Sequence, residues 1–293
     1  MRGAGLTTAA ALARTAATVE SKTDPRSTDT PRPNEGEKLI VMQMDSPTEA
    51  SIDEPIMEMP EQLPHITGGT IQDAKMALAE RRFAQAVTLF EALAETGDAE
   101  AQAHLGYMHY QGEGLPKNLE LAAQWYRRAA VQGNRDAQYN LAVAYAFGEG
   151  VPQDDVEAVS WYRRAAERGS AIAQYSLGVS YALGEGVARD DVEAIRWYRA
   201  AAEQGYAEAQ YNLGYGYRSG HGTEVDNVQA LEWFLAAASN GHASAQYSLG
   251  YMYRSGRGVE RDVDEAVKWY RMAAAQGHLD ARADLASLNA GTL

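Results

Sequence analysis

The tryptophans of this 293-residue chain recur at a constant interval. Each of the five lies 36 residues after the one before it: Trp125, Trp161, Trp197, Trp233 and Trp269. A fixed interval of this length is typical of proteins in which one supersecondary unit is stacked several times. Because one such unit is too short to bury an apolar face alone, the interval predicts an array of units that pack on their neighbours.

Aligning the chain on this interval shows a first helix, helix A, in every copy. Its face carries a leucine, then a small residue, and an aromatic residue three positions further on in most copies. In the second copy these are Leu141, Ala142 and Tyr145, at spacings that fall on one side of a helix. The glycine pair Gly148 and Gly150 then predicts the end of the helix, because glycine adopts positive φ without strain.

A second helix, helix B, is predicted to begin after each glycine pair. Each start has an Asp or Asn, whose side chain accepts hydrogen bonds from the free amides of a first helical turn: Asn118, Asp154, Asp190, Asp226 and Asp262. Glu or Gln follows three residues later in four of the five copies, which is a capping-box pattern. The tryptophans of helix B are predicted to pack in the core or between repeats.

We therefore predict an all-α solenoid of helix-loop-helix repeats. The full repeats are 98–133, 134–169, 170–205, 206–241 and 242–278, with a divergent capping hairpin at 69–97 and a half-repeat cap at 279–293. Residues 1–68 hold seven of the nine prolines and no aromatic residue, so this acidic segment is predicted to be disordered. Its two apolar clusters, 39–42 and 56–59, are a docking motif for a partner, a strip that folds back onto the protein's own groove, or ordinary linker.

Composition and motifs exclude several classes of function. A net charge of −14 argues against binding to nucleic acid or to an anionic membrane, and no apolar run approaches the length needed for membrane insertion. The chain has no cysteine, which fits a cytoplasmic location; a targeting peptide at the N-terminus would instead indicate a periplasmic or organellar one. No catalytic cluster, metal site or cofactor motif is present, so no enzyme is predicted. The protein is expected to be a monomer. The alternative is self-association through the exposed ends of the repeat array.

The recurring motifs resemble those of the Sel-one-like repeat family, the 36-residue branch of the tetratricopeptide superfamily. They cover about residues 98–288 and are Ala-x-Ala-Gln-Tyr-x-Leu-Gly, Gly-x-Gly-Val, Asp-x-x-Glu-Ala and Trp-Tyr-Arg-x-Ala-Ala-x-x-Gly. The hairpin at 69–97 looks more like an ordinary tetratricopeptide unit. The resemblance implies a right-handed α-solenoid and a non-enzymatic adaptor or scaffold role in signalling or complex assembly. Cysteine-rich relatives are associated with β-lactam binding or hydrolysis, and a role of this kind is the alternative hypothesis. An assay for nitrocefin turnover distinguishes it from the adaptor role.

In arrays of this superfamily helix A lines a concave groove. The positions of helix A that packing leaves unused form one stripe, with spacings of 3, 4 and 3 residues. We predict that a partner protein or peptide with an apolar centre lies along it, with a carboxylate meeting Arg218 and Arg254. The predicted groove residues are Tyr107, Tyr139, Val143, Phe147, Tyr175, Val179, Leu183, Tyr211, Tyr215, Arg218, Tyr247, Tyr251 and Arg254. For Tyr139, Tyr175, Tyr211 and Tyr247 the alternative is that they only brace adjacent repeats.

Overall fold

The structure, a computed structural model, describes residues 69–289. Every regular element in this range is an α-helix: α1 (Ile71–Ala79), α2 (Phe83–Glu95), α3 (Ala99–Gln111), α4 (Leu119–Val131), α5 (Arg135–Phe147), α6 (Asp155–Glu167), α7 (Ala171–Leu183), α8 (Asp191–Ala202), α9 (Ala207–Ser219), α10 (Asn227–Ser239), α11 (Ala243–Ser255), α12 (Val263–Ala275) and α13 (Leu279–Asn289). The predicted disorder of residues 1–68 and the two apolar clusters there lie outside the described residues.

The described helices divide into two compact units, residues 69–153 with α1–α5 and residues 154–289 with α6–α13. Within each unit, every helix packs on the next one in sequence. Helices α3, α5, α7, α9 and α11 are the predicted helices A, and α4, α6, α8, α10 and α12 are the helices B. The prediction of an all-α solenoid of helix-loop-helix repeats is confirmed.

Each helix A ends at the first glycine of the predicted pair. Gly184, which follows α7, adopts the left-handed conformation with φ of 75°, and its amide donates a hydrogen bond to the Ser180 carbonyl. The second glycine, Gly186, is also left-handed and touches the first turn of α6. A Cβ atom added to Gly186 would lie 2.0 Å from the Asp155 carbonyl oxygen. The pair therefore ends one helix and lets the loop rest on the preceding helix B.

Each helix B begins at the predicted cap. The Asp190 carboxylate, for example, accepts hydrogen bonds from the amides of Val192 and Glu193. The reciprocal bond of the predicted capping box is not made here, because the Glu193 carboxylate turns toward Arg196 one turn further on. Of the described helices, α1 has the complete box, between Thr70 and Asp73.

The core of each repeat follows the predicted columns. The leucines of helix A are fully buried: Leu105, Leu141, Leu177, Leu213 and Leu249. The small residue next to them faces an aromatic ring of helix B, and a Cβ atom on Gly178 would lie 2.7 Å from the Tyr198 ring. Trp161 is buried and the other tryptophans are half-buried. Trp125, Trp233 and Trp269 pack at the edges of the hydrophobic core clusters.

A buried ladder of glutamines joins successive helices, which the sequence motifs did not predict. The Gln174 side-chain amide donates to the Ala166 carbonyl at the end of the preceding helix B. Its carbonyl oxygen accepts from Gln204, at the end of helix B of its own repeat. The first of these bonds recurs at Gln102, Gln138, Gln210 and Gln246. The glutamine of the Ala-x-Ala-Gln motif therefore satisfies carbonyls that a helix end leaves free.

The N-cap of α11 makes the stability of this region dependent on pH. Nδ1 of His242 accepts a hydrogen bond from the Ala245 amide at 3.2 Å, and the ring stacks on Tyr211. Burial, with a smaller contribution from His278, lowers the pKa of His242 from 6.5 to about 4. Between these values the unfolded chain binds more protons than the folded one, so the stabilisation is complete above about pH 6.5 and is lost as the pH falls.

We expect the free energy of unfolding to fall by about 1 to 2 kcal/mol between about pH 7 and pH 5 because of His242 alone. Urea unfolding at the two pH values measures this change. The control is His242→Asn, since Asn134 caps the equivalent helix and does not titrate. A pH dependence that is the same in both proteins would contradict this role of His242.

Candidate peptide-binding surface

The predicted groove residues are distributed over both units. Tyr107, Tyr139, Val143 and Phe147 belong to the first unit and the others to the second. In the first unit Tyr139 and Val143 are buried, whereas Tyr107 and Phe147 are half-buried. Burial, and to a lesser degree Glu113, raises the pKa of the Tyr107 hydroxyl, which is therefore a neutral hydrogen-bonding group at neutral pH.

The tyrosine column of the second unit packs between neighbouring repeats. The Tyr211 ring lies 5.7 Å from Phe234 on helix B of its own repeat and 4.6 Å from His242, the N-cap of the next helix A. Tyr175 and Tyr247 have the same two kinds of neighbour. Since Tyr211 is only 6% exposed, this column offers little surface to a ligand, and its binding role stays a prediction.

The half-buried part of the stripe combines tyrosine rings with arginines. The Arg218 guanidinium lies 5.2 Å from the centre of the Tyr215 ring and 5.8 Å from that of Phe234. Tyr215 and Arg218 are both half-buried, and Leu183 lies on the preceding helix A with similar exposure. Val179, by contrast, is buried. An arginine held over a ring keeps its planar donors aligned for a carboxylate while its position is fixed by the stacking.

The second predicted arginine, Arg254, has an acidic partner within the chain. Its guanidinium lies 3.3 Å from the Asp284 carboxylate of α13, and both side chains are largely buried. Tyr251 lies beneath it at 5.5 Å, and Arg257 lies over the same ring at 5.4 Å. A carboxylate of a bound peptide would therefore compete with Asp284 at this position, whereas Arg218 contacts rings and has no ion pair among the described residues.

Sequence reasoning missed the loop residues beside this stripe. The residue between the paired glycines is acidic in the first three repeats, as at Glu185, then becomes His221 and Arg257. His221 stacks on Tyr215 with ring centroids 6.0 Å apart, and Arg257 lies over Tyr251. This change from an acidic to a basic residue between the glycines was visible in the aligned repeats. It was missed because the position lies outside the helix A residues that define the stripe.

A recess opens beside Tyr215 within the second unit, between the third repeat of the chain (170–205) and the fourth (206–241). Its cavity volume is about 50 Å³, which is space for a few water molecules. Leu183 and Ile195 contribute apolar surface, and the buried Tyr198 lies beside Asn212. Two predicted groove residues, Leu183 and Tyr215, therefore border a real depression.

Residues 69–289 offer little that suggests other chemistry. Within this range no group of three or more His, Cys, Asp or Glu side chains is placed to hold a metal ion. In the same range no helix has the length and apolar character required to span a bilayer.

The repeats match a known family model along most of the described chain. The model, described as the Sel1 repeat, matches residues 99–134, 135–170, 171–206, 207–242 and 243–278 in succession. The chain belongs to the Sel1 repeat family. Each Sel1 match begins one residue after the repeat boundary drawn from the sequence, at the first residue of helix A. Proteins of this family generally mediate protein–protein interactions.

Two solved bacterial structures are similar to this Sel1 repeat chain. One is c5321, a protective antigen of uropathogenic Escherichia coli with an SLR fold: it is 43% identical with a TM-score of 0.67, and the match covers 69% of this chain and 43% of the antigen. The other is a Sel1 repeat protein from Oxalobacter formigenes, which is 34% identical with a TM-score of 0.68 over 74% of this chain and 86% of the other.

The present chain therefore spans less than half the length of the antigen that it matches. No curated protein sequence gives a significant match.

Proposed function

We propose that this protein is a non-enzymatic adaptor that binds an acidic segment of a partner protein on helices A of the fourth and fifth repeats. The single observation that carries the proposal is the set of tyrosine–arginine stacks at Tyr215 and Tyr251. Tyrosine and arginine are the residues most enriched at binding hot spots. Here they lie together on a chain whose net charge is −14, so the arginines form a local positive surface on an otherwise acidic protein.

The charges along this surface assign unequal roles to the two arginines. Arg254 is already neutralised by Asp284, and its guanidinium serves to hold Tyr251. Arg218 lies over Tyr215 and Phe234, which supply no formal negative charge. A carboxylate of the partner therefore gains most at Arg218, where a charge-assisted contact contributes about 1.5 to 3 kcal/mol when shielded from water. This assignment differs from the sequence-based prediction, in which both arginines contact the ligand.

Selection from a random 12-residue peptide library on the immobilised full chain tests this function. We expect enriched peptides to carry Asp or Glu beside apolar residues, and their affinity to fall at least about tenfold with Arg218→Ala. Arg164→Ala is the matched control, because Arg164 also stacks on an aromatic ring, Trp161, but lies on a helix B. An absence of enriched peptides, or an equal loss with Arg164→Ala, would exclude the proposed surface.

The β-lactam alternative rests on the family resemblance alone. No contact among residues 69–289 favours it, and nitrocefin turnover by the full chain remains the assay that would support it.

A further inference from the structure

The recess between the third and fourth repeats lies where one residue column changes size. The column holds large, fully buried side chains at Met108 and Met252, in the first and fifth repeats, and small ones at Ala144 and Ser180. In the fourth repeat the same position is Gly216. A Cβ atom there would lie 2.2 Å from Ile195 Cδ1, so Ile195 packs directly against the backbone of α9. Beside this contact the third and fourth repeats leave a depression.

The interior of the recess combines apolar surface with one buried donor. Leu183 and Ile195 line it together with two alanines. The Tyr198 hydroxyl is buried beside the Asn212 side chain but makes no well-formed hydrogen bond. Burial raises the pKa of Tyr198, so the hydroxyl stays protonated and can donate. A ligand that fits must therefore be mostly apolar and carry at least a weak acceptor.

A positive charge without an acidic partner lies beside the recess, over the ring of its lining residue Tyr215. Arg189 and Asp191, which also line it, bind each other through two contacts of 2.9 and 3.0 Å and neutralise one another. Tyr215 stacks on His221 and carries Arg218 over its ring. Among these groups Arg218 is the cation without an acidic partner in the described chain, and a carboxylate next to the inserted side chain is its natural counterpart.

We propose that this recess binds a methionine side chain of an acidic peptide segment of the partner, with a neighbouring carboxylate on Arg218. The inference rests on the proposed function and names the ligand chemistry of the same surface. Methionine is flexible enough to enter an irregular space, and its thioether sulfur is a weak acceptor for the Tyr198 hydroxyl. Two of the five repeats bury a methionine in the column of Gly216, at Met108 and Met252, so the fold accepts this side chain at equivalent positions.

A defined probe with this chemistry is available from the sequence itself. Residues 53–61, Asp-Glu-Pro-Ile-Met-Glu-Met-Pro-Glu, contain two methionines, four acids and no Lys or Arg. A fluorescein-labelled synthetic peptide of this sequence, titrated with the full chain and followed by anisotropy, measures the interaction. A second peptide with both methionines replaced by serine reports the contribution of the inserted side chain.

The recess can be filled without disturbing the fold. Ala182 lines it and is half-buried, and the same column holds Tyr110 and Arg218 in other repeats. Ala182→Tyr is therefore tolerated by the helix and closes the recess. Ala146→Tyr, in the same column of the second repeat, is the matched control.

We expect Ala182→Tyr to weaken binding of the methionine peptide at least about tenfold, with Ala146→Tyr unchanged, and the serine peptide to bind about tenfold more weakly to the wild type. Equal binding of the two peptides, equal effects of the two variants, or no binding of the methionine peptide would overturn the inference. If Arg218→Ala weakens the binding of library-selected peptides and Ala182→Tyr does not, the inference fails while the proposed function stands.

The chain's own segment is an alternative occupant that the same titration detects. In full-length protein carrying Met57→Ser and Met59→Ser, an unchanged affinity for the labelled peptide supports a partner molecule as the occupant. Tighter binding than to the wild type would overturn that choice and assign the recess to residues 53–61 of this chain.

Discussion

Gly186→Ala is expected to lower the free energy of unfolding by about 2 to 5 kcal/mol. Two costs combine. An alanine at the observed φ of 68° adopts the left-handed conformation, which costs about 1 to 2 kcal/mol. Its Cβ atom would also lie 2.0 Å from the Asp155 carbonyl oxygen and 2.4 Å from the carbonyl carbon, which are backbone atoms of α6. Because a backbone cannot rotate away as a side chain can, the loop must shift, at an overpacking cost of about 1 to 3 kcal/mol.

The matched control is Gly205→Ala. Gly205 follows α8 with φ of 89°, and a Cβ atom there would meet no atom within 4 Å. This variant carries the conformational cost alone, about 1 to 2 kcal/mol. Urea unfolding followed by tryptophan fluorescence compares the two. Equal losses would show that the second glycine of the pair serves only its own backbone conformation and not the contact between repeats.

Leu249→Ala is the second change with a large expected effect. Leu249 is fully buried in the cluster that joins α9, α10 and α11. Removing a buried leucine loses its transfer free energy and leaves a cavity, and such changes cost about 2 to 5 kcal/mol. Because each repeat of a solenoid contacts mainly its neighbours, we expect hydrogen exchange to accelerate most in α9–α12.

Val192→Ala is the control for this change. Val192 also lies in the second unit, but its side chain is 66% exposed, so the expected change in unfolding free energy is within about 0.5 kcal/mol. A small effect of Leu249→Ala in urea unfolding would contradict the assignment of the leucine column to the core of every repeat.

The interval between the tryptophans was sufficient to predict the fold because packing in a repeat array is local. Gly184 and Asp190 act within one turn of their own position, so their type and spacing determine where a helix ends and begins. The same locality explains why the Leu and Gly columns could be assigned to the core from the alignment of repeats.

Contacts between repeats were harder to predict. The ion pair between Arg254 and Asp284 joins residues 30 positions apart, and the half-repeat that supplies Asp284 differs from the other copies at this column. The burial of Tyr211 depends on His242 from the next repeat. Helical spacing shows which residues share a face, but it does not show how far a neighbouring repeat covers that face.

The recess is a feature that the sequence pattern did not predict and that only the structure explains. Gly216 is the smallest residue of a column that also holds Ala144 and Ser180, and a glycine in a helix usually indicates close packing and not an opening. Here both occur, because Ile195 packs on the glycine while the adjacent space stays unfilled. The size of the neighbouring side chains decides between these outcomes.

The most direct test of an acidic-peptide surface at the fourth repeat is a double-mutant cycle between Arg218 and an acidic residue of a library-selected peptide. Affinities are measured for wild-type and Arg218→Ala protein, each with the peptide and with its amide counterpart at that residue. If the two groups bind each other, the losses are not additive, and the coupling is about 1.5 to 3 kcal/mol. Additive losses for every acidic position of the peptide would show that Arg218 does not contact the ligand and would contradict the proposed surface.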